Sequence, residues 1–272
     1  MRVALAAAYE PGSLALADEI NDCGIEEVFQ KIPLEKMIDV EKVYQSLDEI
    51  GATVLIPEDA LWPSRLNHLA APPVALFVRG DVEILSMQSL AIVGTRNPTQ
   101  YGLRIAQEFA AGFVDRGWGI VSGGAYGIDS AAHKGALIAE GLTIAVTASG
   151  LDRPYPAGNQ RLFDEIAENG ALISEYLPGV TPRPHRFLIR NRLIAALSQG
   201  TLVVEAAFRS GSLRTARDAA ELARPVMAIP GPINAPTSDG CHRLIGERSA
   251  ELVTSVADCY EFLNLLVSQV GK

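Results

Sequence analysis

The sequence predicts an α/β fold: a doubly wound, mostly parallel sheet preceded by a small helical domain. From residue 89 onward, six short segments of strand type alternate with five helical segments. The strand segments are continuous apolar runs, which is typical of strands that helices cover on both faces. Strands and helices that alternate at this spacing predict parallel strands joined by right-handed crossovers.

The first 60 residues predict a separate acidic module. Apolar residues recur at helical spacing in three segments, followed by a short strand at Thr53–Ile56. Residues 1–60 carry 4 Lys/Arg and 13 Asp/Glu, whereas residues 61–272 carry 19 of each, so the net charge of -9 lies in the first part. We therefore divide the chain into a small acidic helical domain, residues 1–60, and a second domain, residues 61–272. The three predicted helices are 14–20, 25–32 and 37–50.

The second domain contains the alternating core. A strand at Val74–Val78 precedes a turn at Arg79–Asp81. The core strands are predicted at 89–93, 118–121, 142–147, 171–174, 201–204 and 225–229. The helices are predicted at 101–116, 127–140, 159–168, 187–197 and 212–223, with a closing helix at 256–267.

Cysteine usage and hydropathy indicate the compartment. Cys23, Cys241 and Cys259 are far apart and form no CxxC pair, which favours reduced thiols over a disulfide framework or a zinc site. The apolar run Val3–Ala8 is too short for a signal peptide, and no run approaches the ~20 apolar residues of a membrane span. We expect a soluble cytoplasmic protein without a membrane partner.

Three turns follow core strands and offer anion-binding groups. They are Gly94–Thr99, the turn Ser122-Gly123-Gly124, and Glu205–Ser212. Because parallel strands end at one edge of a sheet, the backbone N–H groups and helix N-termini of these turns are expected to face the same edge. The chain lacks G-x-G-x-x-G and a Walker A lysine, which argues against a standard dinucleotide or a nucleoside triphosphate with magnesium. An extended polyanion fits the three turns better, and Arg96 adds a planar phosphate donor.

An arginine-rich segment indicates the kind of polyanion. Arg183, Arg186, Arg190 and Arg192 surround Phe187. Basic residues around an aromatic ring are typical of single-stranded nucleic-acid binding, in which arginines meet phosphates and a base stacks on the ring. The alternatives are that Phe187 anchors the helix, that Asn191 caps a turn instead of reading a base, and that Arg190 or Arg192 pairs with Glu205 or Glu175.

Catalytic candidates are few. Asp129 and His133 lie four residues apart on one helix face, but an acid in the first turn favours the helix dipole, so a structural role is preferred. The histidines show no metal-ligand spacing. Glu205 is the best-placed carboxylate for chemistry, and its alternative role is to orient an arginine.

Several motifs occur in one order along residues 61–245. They are Ala91–Gly102, Ser122–His133, Gly150–Pro156, Phe187–Ile194, Val203–Ala206 with Ser210–Leu213, and Ile229–Gly231. In these motifs the chain resembles the DNA-processing protein A family (DprA, also called Smf). The chain ends soon after Val267, so the winged-helix tail of some members is not expected.

The resemblance implies an extended Rossmann-like domain, with residues 1–60 as a SAM-like domain. It implies a homodimer that binds single-stranded DNA without sequence preference in natural transformation and recombination, protects incoming DNA and helps to load the RecA recombinase. No catalytic residue, metal or cofactor is expected. The alternative is a lysine-decarboxylase-like hydrolase of nucleoside monophosphates that uses Glu205 with Arg190 or Arg192. The expected DNA-binding residues are Arg96, Ser122, Gly123, Gly124, Arg153, Arg183, Arg186, Phe187, Arg190, Asn191, Arg192, Ser210 and Gly211.

Overall fold

The structure is a computed structural model that describes the backbone of residues 1–270 and the side chains of residues 1–265. The described residues form one nine-stranded sheet. Its strands are β1 (Ala52–Leu55), β2 (Leu76–Gly80), β3 (Ser89–Val93), β4 (Gly119–Ser122), β5 (Thr143–Val146), β6 (Ala171–Ser174), β7 (Gly200–Val203), β8 (Val226–Ala228) and β9 (Glu251–Leu252).

The strand order confirms the predicted doubly wound topology. It runs β1-β2-β6-β5-β4-β3-β7-β8-β9, and every neighbouring pair from β6 to β9 is parallel. β2 pairs in antiparallel fashion with both of its neighbours, β1 and β6. The chain order reverses between β3 and β7. Ligands of such sheets bind at this switch point, outside the carboxyl ends of the strands.

Helices cover both faces of the sheet. The helices are α1 (Arg2–Ala8), α2 (Leu14–Cys23), α3 (Ile25–Gln30), α4 (Val40–Glu49), α5 (Gln100–Val114), α6 (Ile128–Ile138), α7 (Gln160–Asn169), α8 (Pro184–Leu197), α9 (Ser212–Glu221), α10 (Asp239–Gly246) and α11 (Val256–Val270). One hydrophobic cluster joins the sheet to α5, α6 and α11, and another joins it to α8, α9 and α10.

Some predicted elements differ from the structure at the edges of the fold. The apolar run 3–8 was not predicted as a helix but belongs to α1, and α10 and β9 were not predicted. The predicted turn at Arg79–Asp81 is wrong for its first two residues, because Arg79 and Gly80 belong to β2 and pair with β6. Short elements give too few periods of hydropathy for a sequence pattern to identify them.

The N-terminal helices form a small core of their own, centred on Leu5, Leu16 and Val28. The strand β1 lies before the predicted division at residue 60, yet it is the edge strand of the sheet. The division therefore stays a prediction, and the last residues of the first segment are continuous with the second.

The cysteines are free thiols, as predicted: Cys23 is half-buried, and Cys241 and Cys259 are buried. Among the described residues, no helix combines the length and hydropathy needed to cross a bilayer.

Candidate nucleic-acid interface

An open cavity of about 580 Å³ lies at the switch point between β3 and β7. Its walls come from the turn after β3, the loop before α9 and the first half of α8. The structure thus brings seven of the predicted binding residues around one cavity: Arg96, Arg183, Phe187, Arg190, Asn191, Ser210 and Gly211.

The arginines of α8 differ in their partners. The helix begins at Pro184, whose fixed φ suits the first helical position. Residues three and four apart share a helix face, so Phe187, Arg190 and Asn191 line the cavity together. Arg186 and Arg192 instead form ion pairs with Glu10 and Glu175.

Arg190 forms the floor of the cavity and is buried. Its Nη1 donates to the carbonyl of Gly123, at 2.7 Å, and to that of Val146. Burial lowers the pKa of the Arg190 guanidinium to about 10, an effect that the nearby Asp129 carboxylate opposes. The guanidinium therefore stays charged at neutral pH and ties α8 to the ends of β4 and β5.

Phe187 is the centre of an aromatic and cationic cluster. The Arg96 guanidinium lies over its ring, 5.1 Å from the centroid, and that of Arg190 lies 5.9 Å away. The ring of Tyr155 meets that of Phe187 edge-to-face, with centroids 5.7 Å apart. Tyr155 remains 46% exposed. The cluster presents one unpaired guanidinium and one accessible ring to the cavity.

The turn after β4 supports the cavity and does not line it. Ser122 is fully buried, and its hydroxyl donates to the carbonyl of Ile92 at 2.6 Å. A Cβ at Gly123 would overlap the Arg190 guanidinium, and one at Gly124 would overlap the ring of Phe163. These glycines allow close approach by protein side chains.

Three of the other predicted contacts also lie outside the cavity. Arg186 is held by the Glu10 carboxylate at 2.8 Å, and Arg192 by Glu175 at 2.5 Å. Arg153 pairs with its neighbour Asp152 at 3.3 Å. The pairing of Arg192 with Glu175 is one of the alternatives considered from the sequence.

Asn191 braces the loop before α9. Its Nδ2 donates to the carbonyl of Gly211 at 3.2 Å, which is the turn-capping alternative. The Ser210 and Ser212 hydroxyls lie 2.8 Å apart in the same loop. The loop is therefore fixed against α8 on the cavity wall.

Tyr155 was not assigned to the site from the sequence. It precedes Pro156 across a cis peptide bond in the segment Gly150–Pro156. The available signal in the sequence was a tyrosine before a proline within the motif Gly150–Pro156.

Asp129 and His133 do not pair. The Nδ1 of His133 lies 2.7 Å from Thr143 Oγ1, whose hydroxyl hydrogen is donated to the carbonyl of Ile120. Nδ1 is therefore the protonated nitrogen. Its Nε2 has no hydrogen-bond partner within the described residues. Burial, and secondarily the Arg190 charge, lowers the pKa of His133 to about 3, so the imidazole is neutral.

Glu205 fixes the start of α5. Its carboxylate accepts the Thr99 hydroxyl at 2.6 Å and the Thr99 backbone N–H at 2.9 Å, and Thr99 is the N-cap of α5. Glu205 is buried and is not among the cavity-lining residues. The geometry gives it a structural role in place of the predicted alternatives, catalysis or the orientation of an arginine. Within the described residues, no cluster of His, Cys, Asp or Glu has the arrangement of a metal site.

Fold and site together define a Rossmann-like α/β protein with an arginine-lined cavity at the switch point of its sheet. The chain belongs to the DNA recombination-mediator protein A family, because the sequence model of that family matches residues 53–264. It is 44% identical over 234 residues to a DNA processing protein DprA of Mycobacterium tuberculosis, covering 81% of this chain. The chain spans 60% of the length of that relative.

Two solved structures have the same fold. The X-ray structure of DprA from Streptococcus pneumoniae superposes with a TM-score of 0.79 at 38% identity, covering 92% of this chain and 86% of that one. A DprA structure from Helicobacter pylori, described for its single-stranded DNA binding mode, superposes with a TM-score of 0.71 at 34% identity. The superposition covers 80% of this chain and 96% of that one. The predicted family and fold are confirmed.

His133 should make the protein less stable in mild acid. The unfolded chain binds a proton below a pKa of about 6.5, whereas the folded imidazole does not until about 3, so stability falls as the pH drops through this window. Between about pH 7 and about pH 5, protonation of this imidazole in the unfolded chain lowers the free energy of unfolding by about 2 kcal/mol. In urea unfolding, the free energy of unfolding of His133→Asn should therefore fall by about 2 kcal/mol less over this pH range than that of the wild type. The asparagine amide keeps the hydrogen-bond donor to Thr143. An equal loss in both proteins would contradict this account.

Glu205→Gln should lower the free energy of unfolding by about 1–3 kcal/mol, because an amide cannot accept both Thr99 donors. The matched control is Glu108→Gln at an exposed position of α5, with an expected effect within about 0.5 kcal/mol. Free base released from AMP by the wild type and lost in Glu205→Gln would instead support the hydrolase alternative. We expect no release from either protein.

Proposed function

We propose that this protein binds single-stranded DNA without sequence preference in the cavity at the switch point. The observation that carries the proposal is the cluster of Arg96, Phe187 and Tyr155 above the buried Arg190. Guanidinium groups bind phosphates, and aromatic rings stack bases of any sequence.

Unpaired charge supports this assignment. The side chains of Arg96 and Arg183 are exposed and form no ion pair within the described part of the chain. The one carboxylate on the cavity wall, Asp129, is buried beside Arg190. The cavity therefore has an excess of positive charge in a protein whose net charge is -9.

The accessible aromatic ring favours single strands over duplexes. A base can stack on Tyr155 or Phe187 only after leaving its own base stack, which costs least in an unpaired strand. The family relationship adds support, since the similar H. pylori protein is described by its single-stranded DNA binding mode.

The contacts are assigned in two groups. Arg96, Arg183, Ser210 and Gly211 meet phosphates, and Tyr155 with Phe187 stacks bases. Other predicted residues act on these contact residues indirectly. Five of them shape the cavity: Ser122, Gly123, Gly124, Arg190 and Asn191. Two more, Arg186 and Arg192, fix α8 to neighbouring segments. Arg153 is already paired with Asp152 and lies outside the cavity.

In this proposal the protein is a cytoplasmic homodimer that acts in natural transformation and recombination. It protects incoming single strands and helps to load the RecA recombinase, without catalysis or a cofactor. The support is membership of a family described as recombination mediators. Residues 1–60 act as a SAM-like domain, whose Glu10 contacts α8.

Arg96→Ala and Phe187→Ala should weaken oligothymidylate binding in different ways. Loss of one phosphate contact should lower affinity about tenfold and reduce the slope of log affinity against log salt by about 0.7. Loss of a stacking ring should cost about 1–3 kcal/mol and leave the slope unchanged. Fluorescence anisotropy at several salt concentrations measures both quantities.

The matched control is Arg248→Ala, which removes an exposed arginine that follows α10 and is outside the cavity. Its affinity should equal that of the wild type. If Arg96→Ala and Phe187→Ala also bind as the wild type does, the strand does not occupy this cavity.

A further inference from the structure

A second groove, of about 410 Å³, lies between α5 and α6 beside the cavity. Its charged side chains are Arg104 from α5 and Lys134 from α6. The remaining polar lining is neutral, with Gln100, Gln107, Ser130, Asn159 and Tyr126. Within the described part of the chain, no carboxylate belongs to its lining.

Arg104 and Lys134 are exposed and have no partner for their charge. Neither side chain forms an ion pair or hydrogen bond with any described residue. Some other cations of the chain are neutralised locally, as Lys31 is by Glu19 and Glu27. Two free cations facing a groove without carboxylates give it a positive potential that attracts anions.

Close packing of the two helices brings these cations together. A Cβ on Gly135 would come within 2.6 Å of the Gln107 carbonyl oxygen, so α6 approaches α5 at a point that only glycine permits. Gly135 follows Lys134, and Gln107 lies one turn after Arg104. The groove is therefore built by a packing contact and does not depend on flexible surface side chains alone.

Two segments connect the groove to the cavity. Ala125 lines the cavity, and Tyr126 and Gly127 line the groove, within about 7 Å along the backbone. Tyr155 lines the cavity, and Asn159 lines the groove, where its Nδ2 donates to Gly124 O at 2.9 Å and to Ser130 Oγ at 2.8 Å.

An exposed ring lies at the junction. The side chain of Tyr126 is 49% exposed, and its hydroxyl lies against Gly158 in the loop that carries Tyr155. Aromatic rings spaced along a basic path are the features by which proteins follow single strands. The order along the edge is then Tyr155, Tyr126, and the cation pair.

We propose that this groove is a second binding segment for the same strand, in which Arg104 and Lys134 bind the phosphates that leave the cavity and Tyr126 stacks a base between them. The inference rests on the proposed function of the cavity. It also defines a path for the bound strand, from the switch point across the N-terminus of α6 to the α5–α6 groove.

The test compares a short and a long oligothymidylate, of about 5 and about 15 nucleotides, with the double variant Arg104→Gln/Lys134→Gln. The short strand fills the cavity alone, so its affinity should not change. For the long strand, affinity should fall about a hundredfold and the salt slope by about 1.4, which is about tenfold and ~0.7 for each lost phosphate contact.

The matched control is Arg116→Gln/Arg248→Gln, which removes the same charge at positions outside both binding segments. It should bind both oligonucleotides as the wild type does. Circular dichroism melting checks that each variant is folded, and all four substitutions are at exposed positions.

Each other outcome overturns the inference. Unchanged affinity for the long strand in the groove variant means that the strand does not reach the groove, while the cavity proposal stands. Equal losses for short and long strands, or an equal loss in the control, mean a general charge effect. Failure of the wild type to bind either oligonucleotide removes the cavity proposal itself.

Discussion

The site depends on one buried guanidinium. Arg190 crosses from α8 to the carbonyl groups of Gly123 and Val146, at the ends of two neighbouring strands. A buried charge needs hydrogen bonds and a nearby opposite charge, and here two carbonyls accept from Nη1 while the Asp129 carboxylate favours the charged guanidinium. Because α8 is held at this point, its Phe187 is positioned to meet Arg96 and Tyr155. A cavity with a charged floor and an aromatic wall follows from that anchor.

The paired arginines of α8 explain how an acidic protein keeps a basic site. Arg186 and Arg192 are matched by Glu10 and Glu175, so these charges stabilise contacts within the chain. Burial raises the pKa of Glu175, an effect that the adjacent Arg192 opposes. Arg96 and Arg183 form no ion pair with any described residue, and both line the cavity. Net charge thus says little about binding, whereas the local pairing of each arginine determines where an anion is attracted.

Much of the fold was predictable because buried parallel strands leave a strong signal of apolar runs between helices. The six core strands lie within a few residues of their predicted positions, whereas α1, α10 and β9 are too short for periodicity to identify. At the site, Arg96 and Phe187 follow from residue type and position. The role of Gly123 does not, because a glycine permits close approach equally by a ligand or by the Arg190 side chain. The pairing of Arg186 depends on Glu10, which only the folded chain brings near.

The most direct measurement of the central claim is photo-crosslinking of 5-iodouracil-substituted single strands, followed by mass spectrometry of the attached peptides. A base that stacks in the cavity must lie against an aromatic ring there. The account predicts crosslinks at Tyr155 or Phe187 that excess unlabelled oligothymidylate suppresses. Crosslinks confined to aromatic residues away from this edge, such as Tyr44 on α4 or Tyr260 on α11, would contradict it.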